Sequence, residues 1–260
     1  MTTTGFSSYN TFGLRTEWIK ILFENPEAIK NIGQKPKQDS FFHWGKDVGL
    51  FDGQRKPTIF FDKFAALGAE SVKLWGVFWI NAAYNSPLIN FFVKKAPFYS
   101  ELDNAFWLET LDNSRSPRTK RNALTALKGT LRYSPIGEKL GQGLCKLKGN
   151  QVISITRTPW PYPEPLVILY SLYLFAEHSD RLHSFTLTEL LDDCESREAL
   201  SPKILFGLNA DSLRPILQGL ANDLPNFIRV NFNKGFMENI FLNEKLSPTD
   251  VIKILTRGED

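Results

Sequence analysis

The sequence predicts an α+β protein, mainly helical with small β-hairpins, in which winged-helix domains at both ends flank a helical middle region. Apolar residues recur at helical spacing along most of the chain, with proline at helix starts and glycine at helix ends. Short apolar stretches flank turn residues at three places and read as hairpins. Near each end, a helix with one apolar face runs straight into such a hairpin. The 260 residues are 42% hydrophobic and include 21 Phe and 6 Trp, ample to fill cores. That length allows more than one domain. The boundaries read as 1–64 for an N-terminal winged helix, 65–158 for the middle region, 159–165 for a proline-rich connector and 166–260 for a C-terminal winged helix.

The opening helix, over 11–24, carries Phe12, Trp18, Ile19, Leu22 and Phe23 and stops before Asn25-Pro26. Arg15 and Glu17 read as its solvated face. A short helix from Pro26 to Ile32 is closed by Gly33. The next helix spans 36–48, because Pro36 suits a first helical position and Gly49 suits the left-handed residue past the end. Phe41, Trp44 and Val48 fall at i, i+3 and i+7 and face a core, which leaves Lys37, His43 and Lys46 outside. Leu50-Phe51 and residues 58–61 read as strands around a tip, 52–57, that carries Arg55 and Lys56. Such a helix fits a DNA major groove while wing cations meet phosphates. The expected DNA-facing surface is therefore Lys35, Lys37, His43, Lys46, Arg55 and Lys56. The same pattern also describes an amphipathic helix on a hairpin in any α+β protein, and fold alone carries no function.

In the middle region, residues 71–84 are apolar nearly all round and predict a buried helix. Ser86-Pro87 caps the next helix, with Leu88, Ile89, Phe91 and Phe92 as core. Ser116-Pro117 opens a helix whose Leu124, Leu127 and Leu131 share one face. Beside that face Arg118, Arg121, Lys128 and Arg132 gather within a sector of roughly 80°. No acid between Asp112 and Glu138 is available for i,i+4 pairing, so an external anion, the DNA backbone, explains the stripe. Ser134-Pro135 starts another short helix, and 145–156 reads as a hairpin around Gly149-Asn150, with Lys146 and Lys148 before the turn. The net charge of +3 argues little, but its distribution is uneven. Ten Lys or Arg between Asn113 and Pro163, including Arg115, Lys120, Lys139 and Arg157, face one acid, Glu138.

Four alternating prolines between Pro159 and Pro165 predict a stiff connector. A buried helix over 166–176 follows, then a capping box of Thr186 and Glu189. Ser201-Pro202 begins a one-turn helix ending near Gly207. A longer helix from Asp211 turns Leu213, Leu217 and Leu220 inward and tolerates Pro215 in its first turn. Ile228, Val230 and Phe232 alternate, 233–235 turn, and 236–242 return. This second winged helix offers few cations and reads as a protein-contact or structural element.

Two cysteines, Cys145 and Cys194, exclude a disulfide scaffold and a cysteine metal cage, which fits a reducing cytoplasm. No basic-then-apolar leader opens the sequence, and the longest apolar run is too short to span a bilayer. A soluble cytoplasmic protein without membrane contact is expected. Metal-assisted phosphodiester hydrolysis needs converging carboxylates. Asp192, Asp193, Glu195 and Glu198 are dense but read as solvated charge, and His178, Asp180 and His183 lack a metal-binding spacing. There is no phosphate loop, cysteine pair or nucleophile elbow. The residues themselves indicate DNA binding, with no catalytic residue or metal ligand assigned.

The opening run from Phe6 through Tyr9-Asn10-Thr11-Phe12-Gly13-Leu14-Arg15 to Trp18 resembles the opening motif of the SspB family, the nickase subunits of single-strand DNA phosphorothioation systems. The likeness continues, in order, through Gly33-Gln34-Lys35, Trp44, Gly49-Leu50, Leu74-Trp75, Trp79, 122–131, Pro135-Ile136-Gly137, Leu169-Tyr170, Ser201-Pro202 and Phe206-Gly207. It implies a cytoplasmic DNA-binding protein of a phage-defence system. The protein would act with a cysteine desulfurase, an ATPase and a reductase-like sulfur-transfer enzyme. Such a subunit nicks DNA so that sulfur can replace a phosphate oxygen, and nicking would call for Mg or Mn. The family often carries His-Glu where this chain has Tyr9-Asn10, which weakens the nuclease expectation. The alternative is a non-catalytic adaptor that presents DNA to the sulfur-transfer partners; a third reading is a scaffold that binds only protein. Homo-oligomerisation and the recognised DNA sequence stay open.

Overall fold

The computed structural model of the chain describes residues 8–111, 115–192, 198–232 and 238–257. The architecture is α+β, helix-rich with small antiparallel sheets, and the chain divides into two compact units, Met1–Pro161 and Tyr162–Asp260. No helix among the described residues is long and apolar enough to cross a membrane.

The first unit opens with α1 (Thr16–Glu24), a 3-10 turn (Pro26–Asn31) and α2 (Lys35–Asp47). As the spacing requires, Phe41, Trp44 and Val48 are fully buried, and Gly49 takes a left-handed φ of 87° just past the helix. Gly45 is needed one turn earlier, since a Cβ there would lie 2.4 Å from the Phe51 ring. The expected strand over 58–61 does not form. Phe51 and Pro57 make one isolated bridge, the Thr58 hydroxyl donates to the Gly49 carbonyl at 2.6 Å, and the chain turns into α3 (Phe61–Leu67). The i, i+3, i+6 series Phe61, Phe64, Leu67 explains this, because a helix buries Phe64 and Leu67 together whereas a strand would divide them between faces.

The middle of this unit contains α4 (Val72–Asn85), α5 (Pro87–Lys95), β1 (Glu101–Asp103), α6 (Asn104–Thr110), α7 (Pro117–Arg132), α8 (Pro135–Glu138), β2 (Leu144–Lys148) and β3 (Gln151–Thr156). Serines 71, 86, 116 and 134 each accept a backbone N–H of the first turn that follows, as N-caps do. The sheet order is β1-β3-β2, so β2 is an edge strand, and its register shifts between Lys146 and Leu147.

The second unit comprises α9 (Pro165–Glu177), β4 (Ser184–Thr186), α10 (Leu187–Leu190), α11 (Pro202–Phe206), α12 (Ala210–Asp223), β5 (Ile228–Asn231), β6 (Asn239–Leu242) and α13 (Pro248–Leu255). Helix α9 buries nine residues, from Val167 to Ala176. The Thr186–Glu189 capping box forms with both hydrogen bonds. Its sheet order is β4-β6-β5, the same first-third-second arrangement as in the other unit. The expected turn at 233–235 and the first residues of the returning strand lie outside the described residues.

Candidate nucleic-acid interface

The opening motif is a strap between α2 and α7. On the α2 side Tyr9 is buried and stacks on Trp44, with ring centroids 4.2 Å apart. Its hydroxyl donates to Asp47 Oδ2 and lies 2.7 Å from Ser86 Oγ. The Ser40 hydroxyl lies 2.8 Å from the Tyr9 carbonyl, and Trp44 Nε1 donates to the Phe12 carbonyl at 2.8 Å. Asn10 Nδ2 reaches Ser40 Oγ at 3.2 Å. Burial, then the Asp47 charge, raises the Tyr9 pKa far above the phenol range, and burial lifts Asp47 to about 6. On the α7 side Leu14 N–H donates to Thr130 Oγ1 at 2.9 Å. A Cβ on Gly13 would lie 2.1 Å from the Thr130 backbone nitrogen, so only glycine allows the strap to reach the helix. The Tyr9-Asn10 pair is therefore part of a structural seam.

Around this seam the candidate DNA-binding side chains take different places. On α2, Lys35, His43 and Lys46 are exposed, and Lys37 Nζ sits 5.6 Å from the Trp18 ring centroid. Partial burial and the Arg55 guanidinium lower the His43 pKa. Lys56 is exposed, and its backbone N–H donates to Asp52 Oδ1 at 2.9 Å. Arg55 pairs with Asp39 at 2.7 Å and lies over Phe42, so its charge is met within the protein. On α7 the stripe divides. Arg118 and Arg121 are exposed at the N-terminal half. Lys128 donates to the Val152 carbonyl at 2.7 Å and to Asn104, and burial lowers its pKa; Arg132 donates to the Asn150 carbonyl. Those two residues tie the β2–β3 hairpin to the helix.

The basic surplus of the middle region is smaller at the surface than along the sequence. Arg157 is 1% exposed, donates to the Val93 and Ala96 carbonyls and to Gln142 Oε1, and lies 4.1 Å from the Phe98 ring centroid. Burial pushes its pKa down to about 9, which leaves it charged at neutral pH. Lys120 donates to the Leu108 carbonyl and Lys146 pairs with Glu101. Sequence reasoning counted these as free cations because spacing reports faces, not the carbonyls that the faces meet. It also missed Arg15, which lies between the Trp18 and Tyr133 rings.

Among the described residues, no three His, Cys, Asp or Glu side chains converge as metal ligands would. His178, Asp180, Glu189 and Glu198 line an open cavity of about 420 Å³ in the second unit, where Glu189 is already engaged in the Thr186 cap. His183 Nδ1 lies 2.8 Å from the Arg181 carbonyl. Asp193, Cys194 and Glu195 lie outside the described residues.

No protein-family model matches the sequence, and no curated protein sequence matches it. A solved structure does: magnesium-ion-bound SspB superposes with a TM-score of 0.70 over 98% of this chain and 89% of that one, at 14% identity. The chain therefore has an SspB-like fold.

Proposed function

We propose that this protein is the DNA-engaging subunit of a DNA phosphorothioation system, with α7 as the helix that meets the duplex. The observation that carries the reading is the division of the α7 stripe. Lys128 and Arg132 fasten the hairpin beside the helix, while Arg118 and Arg121 are exposed on the other half, their side chains without a hydrogen bond or ion pair among the described residues. A helix followed by a hairpin, with the hairpin's second strand at the sheet centre, is the winged-helix arrangement, and a winged helix reads DNA through the long helix. The order α5, β1, α6, α7, β2–β3 supports it here, and α9, β4, α10, α11, α12, β5–β6 supports it in the second unit. Lys35, Lys37, His43, Lys46 and Lys56 then flank the duplex as backbone contacts. Arg55, paired with Asp39, contributes least. The system implies a cytoplasmic site of action and sulfur-transfer partners.

Salt-dependent binding tests this. Affinity for a labelled duplex should fall steeply with KCl, because cations that neutralise phosphates release counterions. Replacing Arg118 and Arg121 by Gln should weaken all sequences alike and flatten the log-log salt slope by about 0.9 per lost contact. A slope unchanged by both substitutions would remove α7 from the interface.

Nicking is a separate question. Magnesium takes oxygen ligands, commonly one or two carboxylates with water and phosphate. The Tyr9-Asn10 pair, which stands where the SspB family often carries His-Glu, is engaged in the stacking and hydrogen bonds of the strap, and Asp47 is committed to Tyr9. That engagement favours the adaptor reading, in which the protein presents DNA to its partners. Relaxation of supercoiled plasmid by the purified protein with Mg or Mn, and its abolition by chelator, would instead establish the nickase.

A further inference from the structure

Arg15 has more donors than the protein satisfies. The residue is half-buried just ahead of α1, and its guanidinium carbon lies 5.7 Å from the Trp18 ring centroid and 4.5 Å from that of Tyr133. Its Nε is buried and has no hydrogen-bond partner, and the side chain makes no ion pair among the described residues. Two more cations touch the same rings. Lys37 Nζ is 5.6 Å from the Trp18 centroid, and the Arg132 guanidinium is 5.0 Å from that of Tyr133. Lys37, Trp18, Arg15, Tyr133 and Arg132 thus form one series of alternating cations and rings that runs from α2 across the strap to α7.

Aromatic faces hold a guanidinium through the ring quadrupole and leave its in-plane N–H groups free. Arginine has five such donors and no acceptor, so a held guanidinium without a carboxylate calls for an external anion. A phosphodiester suits it, since two parallel N–H groups can meet two phosphate oxygens. Three cations on three separate elements, with no carboxylate paired to any of them among the described residues, do not describe a solvated helix face.

We infer that Arg15, flanked by Lys37 and Arg132, is a phosphodiester-binding site for the DNA that α7 engages; this rests on the DNA-binding reading above. The rise of an α-helix separates Arg118 from Arg132 by about 21 Å, more than the roughly 12 Å width of a major groove. Contacts at both ends of α7 can therefore meet the backbones on either side of the groove in which the helix lies. Tyr133, 42% exposed, touches both the Arg15 and the Arg132 guanidinium and is the positioning residue for the two.

The test uses the full chain and a fluorescein-labelled 20-base-pair duplex over a KCl series. Arg15→Gln should weaken binding about tenfold at low salt and flatten the slope by about 0.9, Lys37→Gln should flatten it similarly, and Arg15→Lys should keep the wild-type slope. Should Arg15→Gln fail to fold, phenylglyoxal labelling of the wild-type protein replaces it, and bound duplex should slow modification at Arg15 several-fold. If Arg15→Gln and Lys37→Gln bind with the wild-type slope while Arg118→Gln and Arg121→Gln weaken binding, the strap is purely structural and the α7 reading stands. Labelling of Arg15 indifferent to duplex overturns the site equally. If the wild-type protein binds no duplex at all, both readings fall together.

Discussion

Tyr9 and Asp47 show what one buried pair does to pH behaviour. Burial raises the folded-state pKa of Asp47 from 3.8 to about 6, so its protonated form suits the folded chain better than the ionised one. The sign follows directly. This group's contribution to stability is fully present below about pH 4 and is lost as pH rises through about 6, and a shift of that size corresponds to about 3 kcal/mol. Denaturation midpoints measured between pH 4 and 7 should carry this downward component in the wild type. Asp47→Asn, which keeps an acceptor for Tyr9 without the charge, should remove it; identical pH profiles for the two proteins would refute the assignment. At this scale the sequence was legible wherever hydrophobic spacing decides the outcome, as with the buried Phe41, Trp44 and Val48. It was illegible where a charged side chain is held by backbone carbonyls or rings from distant elements. Arg157 and Lys128 had the composition of a surface and the surroundings of an interior, and Arg15 had the spacing of a solvated residue but an aromatic clamp.

Among the elements, the Ser-Pro pairs were reliable, because a capping side chain and a proline in the first turn act locally and need no tertiary partner. They place the starts of α5, α7, α8 and α11 where the sequence puts them. Short elements escaped that logic. Strand β1 has three residues, too few for a period, and α3 replaced an expected strand because Phe64 and Leu67 are buried together. The contact of the strap with α7 was equally hidden, although the residue that permits it, Gly13, stands within a recognised motif. A Cβ there would meet the α7 backbone at Ala126 and Thr130, and backbone atoms cannot step aside as a flexible side chain can. Gly13→Ala should therefore destabilise the protein by about 1–3 kcal/mol or more, as overpacking does. It should also reduce DNA affinity through Arg15, which follows it by two residues. A melting temperature equal to that of the wild type would show that the strap can rise off the helix at no cost.

For the whole molecule, the division into two units can be checked by cutting the chain. Trp160 is 2% exposed while Tyr162 is 85% exposed, so the packed part of the first unit extends to the tryptophan and solvent begins just beyond it. A protease site inserted between Tyr162 and Pro163 should be cut readily, and the purified fragments should each melt cooperatively. A fragment that aggregates or stays unfolded would show that the units share one core. The proline alternation is what places a connector at 159–165 in the sequence, whereas the common strand order of the two sheets was beyond sequence reading, since pairing order depends on residues far apart. That order leaves β2 on an open rim of the first unit, where Leu144 and Leu147 are 41% and 46% exposed. An unpaired strand with apolar side chains is a template on which another chain can grow. Here the ladder breaks register between Lys146 and Leu147, and an exposed lysine stands at 148, so an incoming strand would meet a misaligned backbone and a charge. The irregularity that spoils the hairpin as an ideal ribbon is also the kind of feature that discourages chains from assembling edge to edge.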